Sequence, residues 1–165
     1  MTDDEFIASF EDCSLAGFHH ADHVRMAFLY LHRYQALEAL QRFSDALIRY
    51  AASNGKPELY NETITWAFVF LIRDRMARAG RQQTWAEFAA GNRDLLTWKD
   101  NILKQYYRSD TLSSDLARNT FLFPDVTPVR AESRPSGRSP GARPQAALHE
   151  DGIEPAPEFE ADILQ

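Results

Sequence analysis

Apolar residues recur at intervals of three and four along most of this chain, and that spacing limits the fold more than any other feature. The stretch ALEALQRFSDALIRYAAS, residues 36–53, is the longest case, with Leu37, Leu40, Phe43, Leu47 and Tyr50 at helical spacing. These side chains share one face of an α-helix, which must pack against another apolar surface. The first 125 residues carry no alternating apolar pattern typical of β-strands. The sequence therefore predicts an all-α protein.

Capping and stop signals divide these residues into successive helices. Thr2 precedes an acidic turn, Thr84 begins the capping-box sequence TWAE, and Asn54-Gly55 supplies a left-handed stop. We predict helices over about residues 3–12, 20–34, 36–53 and 61–79, a short helix from residue 84, another from residue 97 through 107, and a last one over 114–120. Short connections favour antiparallel neighbours, so we expect a compact antiparallel bundle of about five to seven helices.

The composition changes after Pro124-Asp125, which predicts one folded domain, residues 1–125, and a tail, residues 126–165. The tail holds six of the eight prolines and contains neither Trp nor Tyr. Such a segment buries too little apolar surface to offset the entropy cost of ordering it. We predict a disordered tail, rich in Pro and Arg at first and acidic later. Its acidic and apolar end, GIEPAPEFEADILQ, is a candidate docking segment for a protein partner.

Charge and cysteine content exclude several classes of protein. The formal net charge is −6, which argues against a nucleic-acid-binding protein that neutralises phosphates. Cys13 is the single cysteine, so no disulfide forms within the chain, and the expected location is the reducing cytoplasm. The beginning MTDDEFIASF is acidic, and no stretch reaches the ~18 apolar residues of a membrane span, so we expect neither export nor membrane insertion.

Three of the five histidines lie within FHHADH, residues 18–23, at the start of the second predicted helix. His19 and His23 are four residues apart and so share one side of that helix, whereas His20 lies about 100° away and is predicted to face outward. A polar cluster at a helix start also fits a simple capping role, with Asp22 at the positive end of the helix dipole.

The fourth predicted helix begins with a second polar group, in YNETITWAFVFLI. An up-down-up order of helices brings this start beside FHHADH, and a downward sixth helix delivers Tyr106, Tyr107 and Arg108 to the same end. The candidate catalytic residues are therefore His19, His23 and Glu62. The candidate substrate-binding residues are Thr65, Trp66, Tyr106 and Arg108.

Two kinds of chemistry fit the three candidate catalytic residues. In the first, a histidine acts as general acid or base and Glu62 orients it, with no cofactor. In the second, His19, His23 and Glu62 form a two-histidine, one-carboxylate set for zinc or non-haem iron. Near the end of the folded part, Arg108 and Arg118 fit a cationic site for a carboxylate or phosphate, and equally surface ion pairs with nearby acids.

Together, FHHADHVRMAFLYL and YNETITWAFVFLI resemble small all-helical bacterial proteins of uncharacterised function, over about residues 6–125. The resemblance implies a helical fold and no named activity. Such proteins often carry His at the position of Asn61, and the Asn here weakens the metal alternative.

We therefore expect a small-molecule enzyme or ligand-processing protein that uses general acid/base chemistry at a His/Glu site. The competing hypothesis is a non-catalytic interaction module whose C-terminal tail docks on a partner.

Overall fold

The structure is a computed structural model that describes residues 1–126, and every regular element in this range is helical. Its α-helices are α1 (Asp3–Glu11), α2 (His20–Arg33), α3 (Ala36–Ser53), α4 (Glu62–Arg78), α5 (Trp85–Gly91), α6 (Ser109–Ser113) and α7 (Asp115–Asn119). Short 3-10 helices cover Pro57–Leu59, Arg93–Leu96 and Ile102–Gln105. The all-α prediction is confirmed for these residues. The predicted disordered tail and its docking segment lie outside them, from residue 127 onward.

Aromatic contacts fix the direction in which the long helices pack. Tyr34, which ends α2, lies under the guanidinium of Arg42 near the start of α3, at 4.5 Å. Tyr50, near the end of α3, packs against Phe18 just before α2, with ring centroids 5.2 Å apart. Helices α2 and α3 are therefore antiparallel, as predicted. The ring of His20 contacts Phe68 in the first half of α4 at 4.9 Å, so α2 and α4 begin at the same end of the bundle.

The loop between α1 and α2 is anchored in the core by one aromatic side chain. Phe18 is fully buried and stacks on Phe10 of α1, with ring centroids 4.7 Å apart. Gly17 allows this because its φ of 68° lies in the left-handed region that a residue with a side chain rarely adopts. The chain turns at Gly17 and enters α2 with the histidine cluster held in place beside the core.

The predicted sixth helix is wrong. A 3-10 helix, Ile102–Gln105, replaces its middle, and the next α-helix begins only at Ser109. The cause is Asn101, whose side chain accepts a hydrogen bond from the Leu103 N–H at 3.0 Å and donates one to the Trp98 carbonyl at 3.1 Å. These local bonds offer the backbone an alternative to a continuous α-helix.

Helix α4 is less central than its apolar sequence predicts. Phe70 remains 43% exposed, and Trp66 is partly buried against Phe121, with the two rings stacked at 5.6 Å. The side of α4 that packs into the bundle carries Phe68 and Ile72. Within residues 1–126, no helix, α4 included, is both long enough and apolar enough to cross a membrane.

Thr63 joins α4 to the segment that follows α7. Its buried hydroxyl donates to the Thr120 carbonyl at 2.7 Å and accepts from the Leu122 N–H at 3.0 Å. Replacing Thr63 with valine keeps the shape and leaves both backbone groups without that partner, so we expect the free energy of unfolding to fall by about 1 to 2 kcal/mol. Urea denaturation followed by circular dichroism measures this change. An unaltered unfolding midpoint would show that water replaces the hydroxyl at no cost.

Candidate functional site

A cavity of about 380 Å³ lies at the end of the bundle where α2 and α4 begin. Its walls come from the starts of these two helices, α3 from Phe43 onward, the connection between α3 and α4, and side chains from the region after α5. Most of the lining is apolar or aromatic. Polar groups converge from both helix starts, namely His19, His20, His23, Asn61 and Thr65. The predicted meeting of the two polar stretches at one end of the bundle is confirmed.

His20 faces inward, so its predicted outward orientation is wrong. Its Nε2 lies 2.9 Å from the Leu95 carbonyl oxygen, which can only accept, so Nε2 carries the proton and donates. The ring packs against Phe68 and Trp98, with the Trp98 centroid 5.1 Å away. Burial lowers the pKa of His20, and the bond to Leu95 opposes this effect only in part. The inward orientation follows from the 3-10 turn at Leu95, which packs beside α2 and needs a donor for its carbonyl.

His23 is half-buried and lines the cavity. Its ring centroid lies 4.1 Å from that of Phe18. Burial lowers the pKa of His23 to about 3, and repulsion from His20 and His19 acts in the same direction. The imidazole is therefore neutral at physiological pH and offers one hydrogen-bond donor and one acceptor. A pKa this far below the working pH makes His23 a weak general base.

His19 sits at the rim as the N-cap of α2. Its side chain is 72% exposed, and its Nδ1 lies 3.6 Å from a carboxylate oxygen of Asp22. The same oxygen accepts a hydrogen bond from the His19 backbone N–H at 3.0 Å. This arrangement matches the capping role that the sequence also allowed. The carboxylate beside His19 is thus that of Asp22.

Glu62 and Trp66 lie outside the cavity wall, whereas Asn61 and Thr65 line it. The reason is helical register. Residues 61 and 65 are four apart and share the face of α4 that looks into the cavity, and Glu62 and Trp66 lie about 100° around the helix from them. The placement brings His19, His23 and Thr65 together and leaves the predicted carboxylate on the neighbouring face.

Tyr106 and Arg108 also lie away from the cavity. Arg108 instead approaches two carboxylates, with its Nε 3.4 Å from Asp125 and 3.6 Å from Asp110. The backbone carbonyl of Tyr106 accepts hydrogen bonds from the N–H groups of Asp125 and Val126. Tyr106 lies in the predicted sixth helix, residues 97–107, and Arg108 directly follows it. Because that helix does not form, it does not carry them to the histidine end.

The alternative metal site is not assembled. Within residues 1–126, no three His, Cys, Asp or Glu side chains come together as a group able to hold a metal ion, and this includes His19, His23 and Glu62. Asn61 has a structural role at this point. Its Oδ1 accepts from the Ile64 N–H at 2.9 Å and its Nδ2 donates to the Leu112 carbonyl at 2.8 Å. Both ends of the amide are therefore used in capping α4 and attaching the α6 region.

Sequence reasoning missed several cavity residues, among them Lys56, Trp98 and Leu112. Lys56 gives no local signal, because it reads as part of the turn that follows Asn54-Gly55. The sequence pairs Arg118 with Arg108 as a candidate anion-binding group, and of these two residues the structure places only Arg118 at the cavity.

Comparison with known proteins finds no match to this chain among family profiles, curated proteins or solved structures. The function must therefore be argued from the cavity itself.

Proposed function

We propose that this protein binds a small organic molecule in the cavity between the starts of α2 and α4. The observation that carries the proposal is the cavity itself, about 380 Å³ in volume, with apolar walls and a few polar groups that converge at one end. Small-molecule sites in proteins have this character, because the apolar wall supplies affinity and the polar groups fix orientation. The predicted cytoplasmic location is part of the same proposal.

Ligand binding is the part of the small-molecule hypothesis that the residues support best. Acid/base chemistry with Glu62 as the orienting group loses support, because Glu62 lies on the neighbouring face of α4. His23 is suited to donating and accepting hydrogen bonds as a neutral ring. Any proton transfer to a ligand is best assigned to His19, which is exposed at the rim and sits beside the carboxylate of Asp22.

A neutral fluorescent probe, N-phenyl-1-naphthylamine, tests the proposal with one pair of variants. Ala51 of α3 lines the cavity, and its neighbour Ala52 is exposed and does not. An indole side chain at position 51 fills space that the probe needs. We expect saturable binding of one probe per chain to the natural protein, at least about tenfold weaker binding to Ala51→Trp, and unchanged binding to Ala52→Trp.

Both variants add the same side chain to the same helix, so a general effect of tryptophan on the fluorescence appears equally in both. Thermal unfolding of each variant checks that the bundle remains folded. Equal binding by the two variants, or a signal that never saturates, would remove the cavity as the ligand site.

A further inference from the structure

The fixed charges in the cavity wall are all of one sign. Lys56 and Arg118 line the cavity, and no Asp or Glu of residues 1–126 does. Burial lowers the pKa of His20 and His23, which disfavours the charged form of both imidazoles. A bound cation would meet two like charges and no carboxylate in this wall, while an anion finds two attractive partners in a setting where apolar walls reduce screening by water.

The two cationic residues are anchored at the same turn of the chain. Lys56 directly precedes the 3-10 turn Pro57–Leu59, and Arg118 of α7 reaches this turn, with its Nη1 donating to the Glu58 carbonyl at 2.7 Å. The bond to Glu58 ties α7 to the connection between α3 and α4. It also holds the guanidinium at Glu58, two residues after Lys56, so both cationic residues enter the cavity wall from this one turn.

Arg118 retains donors for such a ligand. Its contact with Asp115 is long, with Nε 3.9 Å from the carboxylate oxygen, and the Asp115 side chain is fully exposed, so this pair is screened by solvent. A guanidinium has five N–H donors in a planar fork, and the bond to Glu58 uses one of them. Among residues 1–126, no carboxylate forms an ion pair with Lys56.

We infer that the molecule bound in this cavity is an apolar carboxylate, with its anionic group against Lys56 and Arg118 and its hydrocarbon body along the aromatic wall toward Trp98. The inference rests on the proposed function, since it names the class of ligand for that site. A carboxylate on an apolar body is favoured over a phosphate because most of the cavity wall is apolar. Many phosphate sites also use a glycine-rich loop that cradles the anion, and the sequence around this cavity has no such loop.

The test compares 2-naphthoate with 2-naphthol, which present the same ring system with and without an anionic group at neutral pH. Titration calorimetry should give at least about tenfold tighter binding of 2-naphthoate, because charge-assisted hydrogen bonds are stronger than neutral ones. Lys56→Met and Arg118→Met should each weaken 2-naphthoate about three- to tenfold and change 2-naphthol less than about twofold. Arg93→Met removes an exposed cation outside the cavity and should alter neither affinity.

Several results would overturn the inference. The first is equal affinity for 2-naphthoate and 2-naphthol. The second is an equal loss of affinity for both compounds in Lys56→Met and Arg118→Met. The third is binding of neither compound by a protein that still binds N-phenyl-1-naphthylamine. In each case the proposed function stands. Failure of the neutral dye to bind saturably, or equal dye binding by Ala51→Trp and Ala52→Trp, would instead remove the proposed function.

Arg118→Met also deletes the bond to Glu58, so its fold is checked by circular dichroism. If that variant does not fold, the comparison rests on Lys56→Met and the charge reversal Lys56→Glu. The reversal should abolish measurable 2-naphthoate binding, and retained binding would overturn the inference.

Discussion

Replacing Phe18 with alanine is expected to lower the free energy of unfolding by about 3 to 5 kcal/mol. Phe18 is fully buried although it lies in a loop. Its ring contacts Phe10 at 4.7 Å, Tyr50 at 5.2 Å and His23 at 4.1 Å, so it joins α1, the start of α2 and the end of α3. Truncation removes these contacts and leaves a void that three separate elements would have to move to fill.

Urea denaturation monitored by circular dichroism gives this change directly. Phe123→Ala is the matched control, because Phe123 is 83% exposed and its loss should change the free energy of unfolding by no more than about 0.5 kcal/mol. A loss below about 1 kcal/mol for Phe18→Ala would mean that the loop before α2 is not part of the core. The position of the histidine cluster would then lack its support.

The helices that the sequence predicts correctly are those whose signals are local. The Thr2 and Thr84 capping boxes form, and Asn54-Gly55 ends α3 with Gly55 at a φ of 69°. Each of these features depends on a few neighbouring residues and on hydrogen bonds between them, so it can be read from a short window of sequence. The shared end of α2 and α4 then follows from short connections alone.

The candidate site was predicted less well, because its composition depends on which face of each helix points inward. At the start of α4 the structure places Asn61 in the cavity wall, whereas the sequence predicts its neighbour Glu62 there. The two positions differ by one residue around the helix. The sequence of α4 does not show which face points inward, because hydrophobic residues occur on several of its faces. His20 turns inward for a non-local reason, since its partner is the carbonyl of Leu95.

The cationic part of the wall depends on contacts between distant parts of the chain. Arg118 reaches Glu58 because α7 packs against α4, and no pattern near either residue predicts this contact. Sequence periodicity therefore gave the general location of the site, and the charge of its wall required the folded structure.

Lowering the pH from 7.5 to 4.5 should destabilise the protein, and His23 should be a main cause. In the unfolded chain a histidine titrates near pH 6.5, whereas burial lowers the pKa of His23 in the fold to about 3. Well above pH 6.5 the ring is neutral in both states and contributes no pH dependence. Below it, only the unfolded chain takes up the proton, so stability falls as the pH falls, and the loss continues until about pH 3.

A pH of 4.5 lies two units below the pKa of histidine in the unfolded chain, which corresponds to about 2.7 kcal/mol for His23. The lowered pKa of His20 acts in the same direction, so we expect the free energy of unfolding to fall by about 3 kcal/mol. Urea denaturation at both pH values measures the loss within each protein, which removes any offset caused by a substitution itself. His23→Gln cannot titrate at this position and should lose most of the pH dependence, whereas His32→Gln, at an exposed position of the same helix, should keep it.

Carboxylates with lowered pKa, such as Glu87, stabilise the fold above about pH 4.5 and remain in all three proteins, so they cancel from the comparison. An equal loss in the natural protein and in His23→Gln would show that the ring facing the cavity is solvated, and it would remove the neutral imidazole from the proposed ligand site.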